Sequence, residues 1–408
     1  MKLKFLMALV PVFIMMLTGC VPAELMLRVE PEAKTPLVVA AMLPISGKNH
    51  IYAEQMSEGL RCAEKEINDN GGLSGRRLKV EFIDTCGSAA GTRAAVDKAA
   101  ALNAVAMIAG YDSNEVGYII NYADALRMPT VIPMATSNYH LEVSPFVYRN
   151  SYSDAQQMET LAAYIYHWRT LKSGAVFIDQ ADNPDYSRSI ARNFSQAVTD
   201  LGGEIVYTAM LPESGDIPAD LIRDVLAANP HFILLPTGGK RAAKLLKTLR
   251  EAGFYGIICG PDSWDDHAFI HALLDSEPGD CLYTTFFSPE NSSPEYLKFS
   301  KKFRKEFYHA PGACETQSYD ALKLLAIGIA GAENLFDFDK NWRTIRSHSG
   351  AAAVYTMLKK GAIDRTIYIN SIGVRRGSKH LVPFGRLSHK LQYSKLEEYK
   401  ITESPEKL

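Results

Sequence analysis

From Leu37 onward the chain alternates two hydrophobic periods, and this alternation restricts the fold more than any other feature. Leu37-Val38-Val39-Ala40-Ala41-Met42-Leu43 is an unbroken apolar run. Such a run fits a strand covered on both faces of a parallel sheet. Met56, Leu60, Ala63 and Ile67 then recur at helical spacing, and Asn70-Gly71-Gly72 stops that helix. Leu78, Val80 and Phe82 alternate in the next strand. A helix over 92–102, a strand over 104–109, a helix from about Glu115 and a strand over 130–132 extend the series. A strand–helix–strand succession implies a parallel sheet with right-handed crossovers.

The pattern restarts near Asn150. Helices are expected over 154–167, 186–201, 221–228 and 240–252, with strands over 174–178, 204–210, 231–235, 256–259 and 282–287. Helices over 294–307, 317–332 and 351–359 follow, then strands from Thr366 and a charged tail over 393–408. The expected class is α/β, with two doubly wound parallel-sheet lobes in tandem.

The first twenty residues differ in kind. Lys2 and Lys4 precede an apolar run from Phe5 to Leu17, too short to span a bilayer as a mature helix. With Leu17-Thr18-Gly19-Cys20 it reads as a lipoprotein signal peptide over 1–19, with lipidation at Cys20. Acyl chains there would hold the protein at a membrane surface on the extracytoplasmic side. Residues 20–35, with two prolines and no periodicity, read as a tether. An oxidising compartment permits disulfides. Beyond Cys20 stand Cys62, Cys86, Cys259, Cys281 and Cys314, an odd number, so at least one thiol is expected free.

Lys plus Arg is 44 and Asp plus Glu is 46, a net charge of −2. That balance lacks the cationic face that binding of nucleic acid requires. Neither a GxGxxG phosphate loop nor a GxSxG nucleophile elbow is present, and cysteine spacing gives no zinc pattern. His267 and His271 share a helix face at i, i+4 but read as a solvated face. No enzyme, cofactor or metal is expected.

Several segments, in order, resemble the type I periplasmic binding proteins, in the branch that binds leucine, isoleucine and valine. They are Leu43-Pro44-Ile45-Ser46-Gly47, Glu66-Ile67-Asn68 with Gly71-Gly72, Asp84-Thr85-Cys86, Gly110 with Ser113, and Pro133-Met134-Ala135-Thr136. Ala228-Asn229-Pro230, Arg250-Glu251-Ala252-Gly253, Gly260-Pro261-Asp262 and Ser318-Tyr319-Asp320-Ala321 complete them. The resemblance implies two lobes joined by three crossovers: 36–149 plus 288–357, and 150–287 plus 358–392. A small ligand, an amino acid or a relative, would sit between them and be passed to permease subunits of an ABC-type importer. The alternatives are a sensor of amides or amino acids feeding a signalling partner, and an envelope scaffold that regulates a cell-wall enzyme.

The residues support such a site. Ser113 follows a strand at a helix start, where a hydroxyl and free N–H groups suit a carboxylate; the same position suits an N-cap for the helix from Glu115. Ala135 and Thr136 lie in a loop of small residues that lets a ligand approach the backbone. Asp262 could pair with an ammonium group or cap a following helix. The resemblance makes Ser113, Ala135 and Thr136 carboxylate and ammonium holders, Asp262 the ammonium partner and Tyr186 a cover. Gly238 stands where branched-chain binders carry paired tyrosines, which implies a larger or more polar pocket. Phe287 is a candidate apolar wall or a core residue. Cys86 matches a family disulfide cysteine whose usual partner position holds Asp112, leaving Cys62 as a candidate partner. Cys259 and Cys281 are a second candidate pair.

Overall fold

The computed structural model describes residues 35–372, apart from 142–143, 182, 214–216, 274–277, 289 and 359–360, and also residues 389–392. The expected signal peptide, Cys20, most of the expected tether and the expected tail lie outside the described residues. No described helix is long and apolar enough to cross a membrane.

The first unit runs β1 (Leu37–Leu43), α1 (His50–Asp69), β2 (Leu78–Asp84), α2 (Ala89–Ala101), β3 (Ala106–Ile108), α3 (Ser113–Leu126), β4 (Thr130–Ile132) and β5 (Val147–Arg149). Its sheet has the order β2-β1-β3-β4-β5, parallel throughout. The second unit runs α4 (Asp154–Ala163), β6 (Ser173–Asp179), α5 (Pro184–Asp200), β7 (Glu204–Leu211), α6 (Ala219–Ala227), β8 (Phe232–Leu234), α7 (Gly239–Glu251), β9 (Ile257–Gly260), α8 (His267–Ala272) and β10 (Cys281–Thr285). Its parallel strands stand in the order β7-β6-β8-β9-β10. The second unit therefore repeats the strand order of the first. Alternate residues of β1 fill opposite cores: Val39, Ala41 and Leu43 on one face, Ala40 and Met42 on the other. That two-sided burial is what the unbroken apolar run encodes.

The chain then returns to the first unit through α9 (Pro294–Phe307), α10 (Ala313–Ile329) and α11 (Leu335–Trp342), before β11 (His348–Ser349), β12 (Val354–Met357), β13 (Ile363–Ser371) and β14 (His389–Gln392). α10 packs on α1 so closely that a Cβ at Gly59 would lie 2.1 Å from the Glu315 carbonyl oxygen. β13 passes between the units. Its start pairs with β12, and Ile363 and Ile367 join the first core; its end pairs with β10, and Ile369 joins a core of the second.

The helix expected over 351–359 is instead a loop and strand over its described residues, 351–358. The buried Asp320 carboxylate takes the N–H groups of Ala351 and Ala352, both at 2.7 Å, and β12 pairs antiparallel with β13. Helix propensity there is overridden by tertiary hydrogen bonds.

Both candidate disulfides are corrected: Cys62, Cys86, Cys259 and Cys281 are all free thiols, as is Cys314. Cys62 is buried in the middle of α1, whereas Cys86 is exposed beyond the end of β2, beside Ser46 and Asp84. Cys259 and Cys281 do lie on adjacent strands, but Cys281 stands opposite Ile258 and Cys259 opposite Leu282. One residue of offset turns them to opposite faces of the sheet, and they fill different cores.

Candidate functional site

In both units strand order reverses beside the first strand, between β1 and β3 and between β6 and β8. Ligands of doubly wound sheets bind beyond the carboxyl ends of the strands at such switch points. Beyond the carboxyl end of β3, Tyr111 comes close enough to Asp262 and Asp266, which follow β9, for their charges to act on it. Tyr52 of α1 donates its hydroxyl to Asp266 at 2.9 Å, which joins the two units directly across this edge.

In the first unit Asp112, not Ser113, caps α3, accepting from the N–H groups of Asn114 and Glu115, both at 2.9 Å. Ser113 is therefore the first helical residue, and the expectation that it caps the helix is corrected. Asp112 occupies the extended backbone position that a cap requires. Glu115 is buried; burial, with Asp112 beside it, pushes its carboxyl up to about 7. It accepts from the Tyr111 N–H at 3.1 Å, and Asn49 donates to both Asp112 (2.8 Å) and Glu115 (3.0 Å). The acids of this loop thus organise the loop itself. Tyr111 stacks flat on Tyr52 with ring centroids 4.0 Å apart.

Thr136 is buried. Its carbonyl accepts from the Asp154 N–H at 2.9 Å, and its hydroxyl bonds the Asp154 carboxylate. Ala135 accepts from the Ser151 hydroxyl at 2.8 Å. Behind them the buried Arg149 donates to the carbonyls of Thr136 and Ser137 at 3.4 and 2.5 Å.

On the facing side, burial pushes the Asp262 carboxyl up to about 6, against the stabilising Tyr186 hydroxyl that donates to it at 2.7 Å, and the nearby Asp154 adds to the rise. Asp262 opens a short 3-10 turn to Trp264, and α8 is capped by Asp266, so Asp262 caps no helix there. Gln157 ties the group together: its Oε1 accepts from the Asp262 N–H at 3.2 Å and the Thr284 hydroxyl at 2.8 Å. Gly238 packs on this turn, for a Cβ there would lie 3.1 Å from the Ser263 carbonyl oxygen. Asp179 fixes the neighbouring loop, taking the Thr237 hydroxyl at 2.6 Å and Arg241 Nε at 2.9 and 3.0 Å.

Thr136, Tyr186 and Asp262 therefore converge around Asp154 and Gln157, two residues that sequence reasoning passed over as ordinary helix positions, while Gly238 packs beside Asp262 on Ser263. Phe287 does not join them; it is buried in the first core with its ring 5.2 Å from that of Tyr296. Among the described residues no lysine or arginine is paired with Asp262, whose neighbours are a phenol, an amide and another acid. The site offers acceptors for a cationic group and holds no constellation for covalent chemistry.

The chain is 23% identical over 297 residues to a Leu/Ile/Val-binding protein homolog of Brucella melitensis, covering 71% of this chain and 77% of that one. The leucine-binding protein LivK of Thermotoga maritima superposes with a TM-score of 0.72 at 23% identity, over 84% of this chain and 96% of the other. The branched-chain amino acid transporter substrate-binding protein LivJ of Streptococcus pneumoniae, solved with isoleucine, gives 0.73 at 18% identity, over 88% and 99%. The family model described as periplasmic binding protein matches residues 36–367, and the chain belongs to that family, a ligand-binding and non-enzymatic class with the type I fold.

Proposed function

We propose that this solute-binding protein is the lipid-anchored, extracytoplasmic receptor of an ABC-type importer, and that it captures an amino acid or a close relative between its lobes. Residues 36–149 with 288–357 form one moving body, and residues 150–287 with 358–392 the other. The observation that carries the reading is the half-buried Asp262, whose carboxyl has no lysine or arginine partner among the described residues and lies near Asp154, to which Thr136 is bonded. A ligand ammonium supplies the missing positive charge at Asp262, a charge-assisted contact strengthened where water is excluded. A carboxylate is received by the Ser113 and Thr136 loops at the first lobe's helix N-terminus. Ligand touches both lobes only when they are shut, and this differential affinity drives closure.

A thermal-shift screen of the full chain against amino acids, amides and small aromatic acids tests the reading. An α-amino acid should raise the melting temperature in proportion to the logarithm of its concentration above Kd. Stabilisation by amides or aromatic acids alone, with no amino acid active, would refute the assignment of Asp262 as the ammonium partner.

A further inference from the structure

Away from the cleft, α1, α10 and the connection between α9 and α10 bring Glu58, His309 and Glu315 together. The close approach permitted by Gly59 fixes the two helices at this point. Glu58 Oε2 lies 3.1 Å from His309 Nε2, and one donor atom from each of the three residues lies within 4.8 Å of the others. The other ring nitrogen, Nδ1, is 3.0 Å from the Ala310 carbonyl oxygen. A carbonyl only accepts, so Nδ1 carries the ring proton. Nε2 faces the Glu58 carboxylate, and that contact needs a positive charge between the two atoms, either a proton on Nε2 or a metal ion. Glu315 is buried, with Oε2 accepting from the Gly312 N–H at 3.0 Å.

A proton on Nε2 would supply one positive charge against two carboxylates. A divalent cation beside a neutral imidazole balances both. Histidine oriented through Nδ1 by a backbone carbonyl is also the usual second-shell arrangement of a metal ligand. An imidazole with two carboxylates suits zinc-like ions, whereas calcium and magnesium prefer oxygen alone. Donors around zinc stand roughly 3.3 Å apart for bonds of about 2.0 Å, so closure needs only small side-chain rotations.

We propose that Glu58, His309 and Glu315 form a binding site for a divalent transition metal that clamps α1 to α10, independent of the solute cleft. The chain positions of these residues explain why cysteine and histidine spacing gave no sign of it. The test is calorimetric titration of the chelator-treated full chain with zinc. One equivalent of zinc should bind and raise the melting temperature. His309→Ala, at a half-exposed side chain, should leave the metal-free melting temperature unchanged and weaken zinc binding about tenfold or more. Glu58→Gln should weaken it likewise, and the double substitution His267→Ala with His271→Ala should not. Absence of saturable zinc binding, unchanged affinity in His309→Ala, or loss in the His267/His271 variant would overturn the proposal.

Discussion

The cleft and the hinge each hold a charged side chain withdrawn from solvent, half-buried Asp262 at one and fully buried Arg365 at the other, and they treat it in opposite ways. At the hinge, the buried Arg365 guanidinium donates to the Asn150 carbonyl (2.9 Å), the Phe286 carbonyl (2.8 Å), Gln317 Oε1 (2.8 Å) and the Thr366 carbonyl (2.9 Å). Those partners lie in the first crossover, the second, α10 and the third. The rings of Tyr152, Phe286 and Tyr355 lie 5.3–5.4 Å from the guanidinium. One side chain thereby ties all three connections to each other. At the cleft, Asp262 has a phenol and an amide for neighbours and no cation from the chain among the described residues. A buried charge saturated by its own chain makes permanent structure; on the proposed reading, the charge left short at Asp262 receives the ligand.

Arg365→Ala should break the hinge side of this contrast most severely. It strands several buried acceptors, each costing about 1–3 kcal/mol, so urea unfolding should show a loss of roughly 3–5 kcal/mol. A loss under about 1 kcal/mol would show that the crossovers do not depend on it. Asp262→Ala should act on the other quantity: ligand affinity falls by about 2–5 kcal/mol, the usual cost of orphaning a buried partner charge, while the melting temperature of the unliganded protein holds or rises. Calorimetry and thermal denaturation of the same variant separate the two.

Glu66 provides a third charged case, outside both regions. Burial opposes its ionisation, but Lys302 at 2.6 Å and Lys323 at 3.2 Å outweigh it and hold the carboxyl at about 2. A depressed carboxyl contributes stability above its unfolded value near 4.5 and loses it as pH falls toward 2. Glu66→Gln should cost about 1.5–3 kcal/mol at neutral pH and flatten the acid limb of the stability curve; an unaltered limb would contradict this. The smallest effect is expected from Tyr52→Phe, which removes the hydrogen bond to Asp266 across the closed edge. Affinity should fall by about 0.5–1.5 kcal/mol with unchanged thermal stability, and no change in Kd would show that this contact does not bias closure.

The sequence made the doubly wound pattern legible because strands covered on both faces leave unbroken apolar runs, as in β1, and helices between them keep a 3.6 period. It failed at 351–359, where alanine, leucine and lysine favour a helix but Asp320 claims the backbone N–H groups. In the cleft, Thr136 was singled out from a loop of small residues after β4, and Asp262 from its place behind Gly260-Pro261 after β9. Asp154 and Gln157 were not, since a carboxylate and an amide in a first helical turn read as capping and solvation. Arg365 left a signal that went unread: an arginine inside the apolar strand Ile363–Ser371 has to find buried acceptors. The Cys259–Cys281 pair failed because adjacency of two strands does not settle which face each thiol takes, and the Cys62–Cys86 pair because one thiol is buried in mid-helix and the other exposed beyond a strand end.

Burial raises the Asp262 carboxyl to about 6, and only its ionised form pairs with an ammonium group. Titration calorimetry of an identified amino-acid ligand at pH 7 and pH 5, for the wild type and Asp262→Asn, therefore tests the missing-cation account most directly. Wild-type affinity should fall about tenfold at pH 5, as protonation of a group of that acidity dictates, while the variant binds weakly and equally at both. Wild-type affinity in Asp262→Asn at pH 7 would contradict it.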